Sequence, residues 1–325
     1  MRSIGVFALV LAAFAACVGS ERAWAQDYPS RTITIVVPYP PGGGVDVLAR
    51  VIAEKLSVAL KSQVVVDNRG GGGGNIGTRS VAKSEPDGYT LLLGHTGTMA
   101  INPTLYANPG YDPRKDFAPI GLIASMPVAL IAHPSFPAKT VAELIALIKK
   151  EPGKYNIGTS AIGTGSYLCA ELFKSMAGVE MTLVPYRGTA PLMNDLLGGH
   201  VPIAFGVLPP ALGNLQAGKL HALAVTSKIR FSGLPDVPTV DQSGLPGFEA
   251  VLRYGLLAPA GTPKPIIEKL NKELRTLASS EEVKKRIFNE GGDPMTSSVE
   301  EHTADIDSEE KKWAALIKKL NLKVE

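Results

Sequence analysis

The chain reads as an α/β protein made of two doubly wound lobes, and three observations predict it. Short β-branched runs alternate with amphipathic helical segments, the order that gives parallel sheets covered on both faces. Glycine-rich turns stand where several of those strands hand over to helices. The 325 residues exceed what one hydrophobic core usually organises, roughly 250–300 residues, yet no low-complexity linker divides them. Two lobes joined by crossing strands reconcile the length with the continuity.

The first residues stand outside that pattern. Arg2 supplies a positive start, an apolar run covers 4–16, and Ala23-Trp24-Ala25 has the small-x-small form of a secretory cleavage site. The run is shorter than the ~20 residues a membrane span needs. It reads as a signal peptide over 1–25, with the mature chain beginning near Gln26. Phe14-Ala15-Ala16-Cys17 offers a lipobox-like alternative in which Cys17 becomes a lipid anchor. With cleavage at Ala25 only Cys169 remains, so no internal disulfide forms despite export.

The elements follow in order. Residues 31–37 are β-branched and end at Pro38 as a buried strand does. After Pro40-Pro41-Gly42-Gly43-Gly44, the spacing of Leu48, Val51, Ile52, Leu56 and Ala59 predicts a helix over 45–60. Strands are expected at 64–66 and 90–93 with a helix at 78–83 between them. The pattern resumes with strands at 128–132, 156–160, 182–186, 203–207 and 220–226. Helices are expected at 141–149, 166–177 and 192–197, the first opened by the capping box Thr140-x-x-Glu143. A strand at 256–259 precedes a helix at 264–278, which Thr262-Pro263 introduces. Two amphipathic helices, 281–289 and 299–320, close the chain.

Chemistry concentrates in small polar turns at strand ends, where open α/β sheets bind ligands. The turn from Tyr39 to Asp46 sets glycine N–H groups against a helix start, an arrangement suited to an anion, with Asp46 as a cap. A plain βα turn with no ligand is the alternative. Gly94-His95-Thr96-Gly97-Thr98 and Gly158 to Ser166 repeat the theme. The loop 68–77 formally contains G-x-G-x-x-G, but its run of consecutive glycines satisfies nearly any such pattern. No acidic ribose partner ends the next strand, and no Gly-Lys-Ser/Thr follows. It reads as a flexible surface loop.

Other chemistries find no support. The five histidines, His95, His133, His200, His221 and His302, show no metal-ligand spacing. Gly158-x-Ser160-x-x-Gly163 is one residue too long for a nucleophile elbow. The net charge of +3, without a basic run, gives no footprint for nucleic acid. No cofactor and no metal are expected.

The run Ile35-Val36-Val37-Pro38-Tyr39-Pro40-Pro41-Gly42-Gly43-Gly44-Val45-Asp46-Val47-Leu48-Ala49-Arg50 resembles the opening of the Bug family, the periplasmic receptors of tripartite tricarboxylate transporters. The likeness continues in Val65-Val66-Asp67-Asn68-Arg69, Pro86-Asp87-Gly88-Tyr89-Thr90-Leu91 and Val184-Pro185-Tyr186-Arg187-Gly188. It ends in Tyr254-Gly255-Leu256-Leu257-Ala258-Pro259 and covers essentially the whole mature chain. The resemblance implies a type II periplasmic binding protein fold, with a signal peptide at 1–25, lobe 1 at 26–127 plus 252–325, and lobe 2 at 128–251. A ligand cleft lies between the lobes.

It further implies that one ligand carboxylate sits against Tyr39, Gly43, Gly44, Val45 and Asp46. His95 and Thr96 stand nearby. The second lobe closes with Ser160, Gly163, Thr164, Gly165, Ser166 and Tyr167, with Arg187, Gly188, Thr189 and Ala190, and with Gly206. Family members often carry His at the position of Tyr167, an acidic residue or Asn near Gly206, and an aromatic at Arg253. Arg253 is a candidate clamp for a second carboxylate, with a hinge salt bridge as its alternative. A cleft-facing Arg253 favours a dicarboxylate, with Tyr167 stacking on an aromatic one.

The expected function is capture of a small carboxylate by a monomeric, periplasmic, non-enzymatic protein and its delivery to the large and small membrane subunits of a transporter. The chain itself does not span the membrane and binds no nucleic acid. A ligand sensor serving a signalling receptor, or an exported hydrolase using Ser160 or His95, are the alternatives.

Overall fold

The structure, a computed structural model, describes residues 28–324 with the exception of 43, 161 and 163. The signal peptide, the cleavage point at Ala25 and Cys17 lie outside the described residues.

The first sheet starts with β1 (Ile33–Val37), whose turn leads into α1 (Gly44–Leu60). β2 (Val64–Asn68) follows, then a 3₁₀ turn (Gly72–Gly74) and α2 (Asn75–Ala82). β3 (Thr90–His95) runs into a π-helical turn (Gly97–Ile101) and the short α3 (Asn102–Leu105). β1 pairs in parallel with both β2 and β3. Ile33, Ile35, Leu91 and Leu93 face α1 through Leu48, Ile52 and Leu56. Val36 and Leu92 alternate onto the opposite face.

The long β4 (Phe117–Ala132) then crosses to the second lobe. α4 (Val141–Lys150), β5 (Asn156–Thr159), α5 (Gly165–Ala177), β6 (Thr182–Pro185), α6 (Thr189–Leu197), β7 (Ile203–Val207), α7 (Leu208–Gln216) and β8 (His221–Val225) build that lobe. β5 pairs in parallel with β6 and β7. Leu130, Phe173, Phe205 and Phe248 anchor its core. The chain returns through β9 (Val251–Pro259), then α8 (Lys264–Ser279), α9 (Glu281–Asn289), β10 (Asp293–Pro294) and α10 (Val299–Lys319).

The sheets are mixed, not purely parallel. β4 runs antiparallel to β9 from Phe117 to Pro127 and antiparallel to β7 from Val128 to Ala132. One strand therefore serves both sheets, and β9 returns beside it. These are the two crossing strands.

The C-terminal helix packs against two cores. Ile306 packs with Val36, Leu92 and Leu257 behind the first sheet. Trp313, Leu316 and Ile317 instead join Phe173 and Phe205 in the second core. Ala100, Ile101 and Leu105 join that core as well. α10 spans both lobes.

Candidate functional site

The turn after β1 is fixed by its own side chains. Asp46 is buried in the first turn of α1, and its Oδ2 accepts hydrogen bonds from Gly42 N–H (3.0 Å) and Arg50 Nε (3.1 Å). Burial alone would raise the carboxyl pKa. The Gly42 N–H and the Arg50 guanidinium outweigh it and hold the group below its ordinary value. Asp46 is thus spent inward. Gly44 and Val45 open α1, where first-turn N–H groups have no intrahelical acceptor. Asn68 Nδ2 donates to Tyr39 O (3.1 Å), and Tyr39 Oη donates to Gly73 O (3.2 Å).

The glycine loop lies at the surface, with Arg69 to Gly73 exposed, and also braces Tyr39 through Gly73 O. Gly74 has φ 95°, and a Cβ there would lie 2.8 Å from Tyr39 Oη, so the backbone must approach closely.

His95 ends β3 between two aromatic rings. Tyr39 stacks on it with centroids 4.9 Å apart, and Tyr254 tilts against it at 5.3 Å. Its Nδ1 accepts Gly97 N–H (2.7 Å), so the neutral ring carries its proton on Nε2. Burial lowers its pKa to about 4, which makes it a neutral donor at pH 7. Among the described residues no acceptor meets Nε2. Thr96 Oγ1 accepts Arg253 N–H (2.9 Å), tying this turn to the crossing strand β9.

On the second lobe, Ser160 gives its N–H to Ser166 Oγ (2.9 Å), and Thr164 Oγ1 accepts Tyr167 N–H (3.4 Å) at the start of α5. Gly165 opens that helix, and Tyr167 is half-buried, its phenol raised by burial and by Glu171. Arg187 is exposed at the turn after β6 and, among the described residues, has no acidic partner. Gly188 precedes α6, which Thr189 and Ala190 begin without a side-chain cap. Gly206 lies at the end of β7 opposite Ala129 of β4. The expected contacts Gly43 and Gly163 lie outside the described residues.

Arg253 requires a correction. It does not present a free guanidinium to a ligand. It pairs with Glu309 (2.8 Å), Glu249 (3.2 Å) and Asp305 (3.3 Å), and only 18% of its side chain is exposed. A guanidinium matched by three carboxylates has no charge left for a fourth. Asp305 and Glu309 come from α10, some fifty residues downstream, so no local motif announces them. Tyr254, beneath His95, was also invisible as a site residue, because alternation along β9 reads it as core. His95 lacks the carboxylate orienter that a Ser–His nucleophile pair uses, since a backbone N–H holds its Nδ1.

Comparison with known proteins decides the family. The profile of the tripartite tricarboxylate transporter family receptor, TctC, matches residues 48–322. The chain belongs to this family. BugT of Bordetella pertussis is 35% identical over 322 residues, covering 99% of this chain and 97% of BugT. A structure described as R. palustris Rpa4515 with adipate superposes with a TM-score of 0.85 at 37% identity, covering 91% of this chain and 99% of that one. MatC from Rhodopseudomonas palustris with bound malate gives a TM-score of 0.79 at 32% identity, covering 89% and 100%. TctC family membership makes the chain a solute-binding receptor with the two-lobed type II architecture, and receptors of this family are periplasmic. Among the described residues no helix is long and apolar enough to cross a membrane.

Proposed function

We propose that the protein captures a small dicarboxylate between its lobes and delivers it to the membrane subunits of a tripartite tricarboxylate-type transporter, after signal-peptide cleavage near Ala25. The observation that carries the reading is the inward use of Asp46. With its carboxylate spent on Gly42 and Arg50, the turn keeps the N–H groups of Gly44 and Val45 and the neutral Nε2–H of His95 as donors for one ligand carboxylate. On the opposite lobe Arg187 takes the second carboxylate, the role that Arg253 cannot fill. Thr189 and Ala190 add an uncapped helix start beside it. The relatives that carry adipate and malate hold dicarboxylates of different length, in keeping with recognition led by backbone groups.

Closure needs no covalent step. Contacts from both lobes exist only in the closed form, so ligand shifts the equilibrium toward it. The test is a thermal-shift screen of the mature protein against mono-, di- and tricarboxylates. A ligand at 100 times its dissociation constant adds ~2.7 kcal/mol of stability. A dicarboxylate hit recovered unchanged supports the reading. No shift with any carboxylate, or a hit that is converted, contradicts it.

A further inference from the structure

Arg253 stands opposite Ser125 where β4 and β9 cross between the lobes. Its three carboxylate partners come from two elements. Glu249 lies just before β9, next to Ala250, whose N–H donates to Thr226 O of the second lobe (2.9 Å). Asp305 and Glu309 lie on successive turns of α10. Glu309 also accepts Trp313 Nε1–H (2.9 Å) and Lys312 Nζ (3.2 Å). Trp313 is buried in the second core, whereas Ile306 is buried behind the first sheet. A continuous polar chain thus runs from the Trp313 indole through Glu309 to Arg253. The backbone N–H of the same residue separately donates to Thr96 Oγ1, beside His95 at the ligand turn.

Gly255 lets α10 pack directly onto β9, since a Cβ there would lie 2.5 Å from His302 Cε1. A small cavity between β3, β9 and α10 is bordered by Thr96, Arg253, His302, Asp305 and Glu309. His302 Nδ1 is buried beside it without a hydrogen-bond partner among the described residues. The space suits one water.

We propose that Arg253, Asp305 and Glu309 form a hinge clasp that sets the balance between the open and closed receptor, with Arg253 a positioning residue that never touches ligand. Rotation of one lobe on the other carries α10 past β9, because α10 is rooted in both cores, and it must lengthen or exchange these ion pairs. The clasp also carries a charge imbalance. Asp305 faces Arg253 and Glu249 from the β9 side, and Glu309, Lys312 and His302 along its own helix. His95 stands across the cavity. Three carboxylates meet two cations, and His302 and His95 are neutral. Burial raises the Asp305 pKa to about 6, against the pull of Arg253 and with Glu309 adding to it. Protonation of Asp305 balances the clasp, so the open–closed balance shifts between pH 7 and 5.

The inference rests on the receptor reading, and its experiment separates the two. Small-angle scattering of the ligand-free mature protein is measured for wild type, Arg253→Gln, Arg253→Lys and Asp305→Asn at pH 5 and pH 7. Calorimetric titration with glutarate and the rest of the linear dicarboxylate series follows. The expected result is a changed radius of gyration in Arg253→Gln and recovery toward wild type in Arg253→Lys. A pH-dependent radius is expected in wild type, and Asp305→Asn removes that dependence. Dissociation constants in Arg253→Gln shift about tenfold with the order of preference among dicarboxylates unchanged. Scattering and affinity identical to wild type in folded Arg253→Gln and Asp305→Asn would overturn the clasp, and so would a lost preference for dicarboxylates in Arg253→Gln. Failure of wild type to bind any carboxylate would overturn the receptor reading, while the ligand-free scattering still judges the clasp.

Discussion

The cleft and the hinge treat polar groups in opposite ways. At the strand ends, α2, α6 and α7 begin without side-chain caps, and Arg187 stands without an acidic partner among the described residues. Away from them, Thr140, Ser280 and Ser298 cap α4, α9 and α10, although α8 begins after Pro263 with no side-chain cap. α5 lies between the two classes, since Thr164 caps it although it starts at a strand end. At the hinge, Arg253 meets three carboxylates, and Glu309 serves an arginine, a lysine and an indole at once. On the proposed reading, groups left open are those a ligand would complete, and the ion-paired groups are those that hold the geometry. The two arginines express the contrast most sharply, one exposed without an acidic partner among the described residues and the other paired within the fold.

The largest expected effect falls on the matched side. Arg253→Ala leaves Glu309 and Asp305 without their cation in a mostly buried place and costs about 3 kcal/mol of stability, read from urea unfolding. A loss below ~1 kcal/mol would show the cluster to be an ordinary surface network. Arg187→Ala is the converse. It lowers dicarboxylate affinity by one to two orders of magnitude, the worth of ~1.5–3 kcal/mol for a charged hydrogen bond, and leaves the unfolding midpoint unchanged. Equal losses for mono- and dicarboxylates would remove Arg187 from the second carboxylate.

Acid sharpens the comparison again. His95 and His302 have folded pKa values lowered by burial to about 4 and about 3. Their contribution is present above the unfolded value near 6.5 and is lost as pH falls below it, roughly 2 kcal/mol for each by pH 5. Asp305 runs the other way. Its raised pKa returns roughly 1 kcal/mol as pH falls from 7 to 5. Stability therefore falls by roughly 2–3 kcal/mol overall between pH 7 and 5, and denaturant midpoints at the two values check it. His302→Asn removes most of the fall, because its share of roughly 2 kcal/mol nearly equals the net change. The smallest effect belongs to a cap far from both regions: Thr140→Ala costs about 1 kcal/mol through the lost bond to Glu143 N–H and leaves ligand affinity as it was.

Most of the fold was legible because strand and helix periods differ. The expected helix at 281–289 and strand at 203–207 coincide with those observed, and most other elements agree within a few residues. The crossing strands were half missed. Pro119, Gly121 and Pro127 interrupt β4 and argue against a strand, yet the pairing absorbs Pro119 and Gly121 through register shifts. Arg253 breaks the apolar run of β9 because it points at α10. α7 was hidden by Leu208-Pro209-Pro210, although a helix start tolerates proline.

Within the candidate site, the turn from Tyr39 to Asp46 could be read because its chemistry is local in sequence. The partners of Arg253 could not, since Glu309 reaches it only through tertiary packing. The π-helical turn that carries the chain from His95 to Asn102 had no sequence signal either.

Calorimetric titration of the mature protein with linear dicarboxylates and their matched monocarboxylates shows whether a second carboxylate is recognised. One dicarboxylate is expected to bind at least about tenfold more tightly than its monocarboxylate counterpart, the difference that a second charge-assisted carboxylate contact supplies. Equal affinities for the pair, or no heat with any carboxylate, would contradict it.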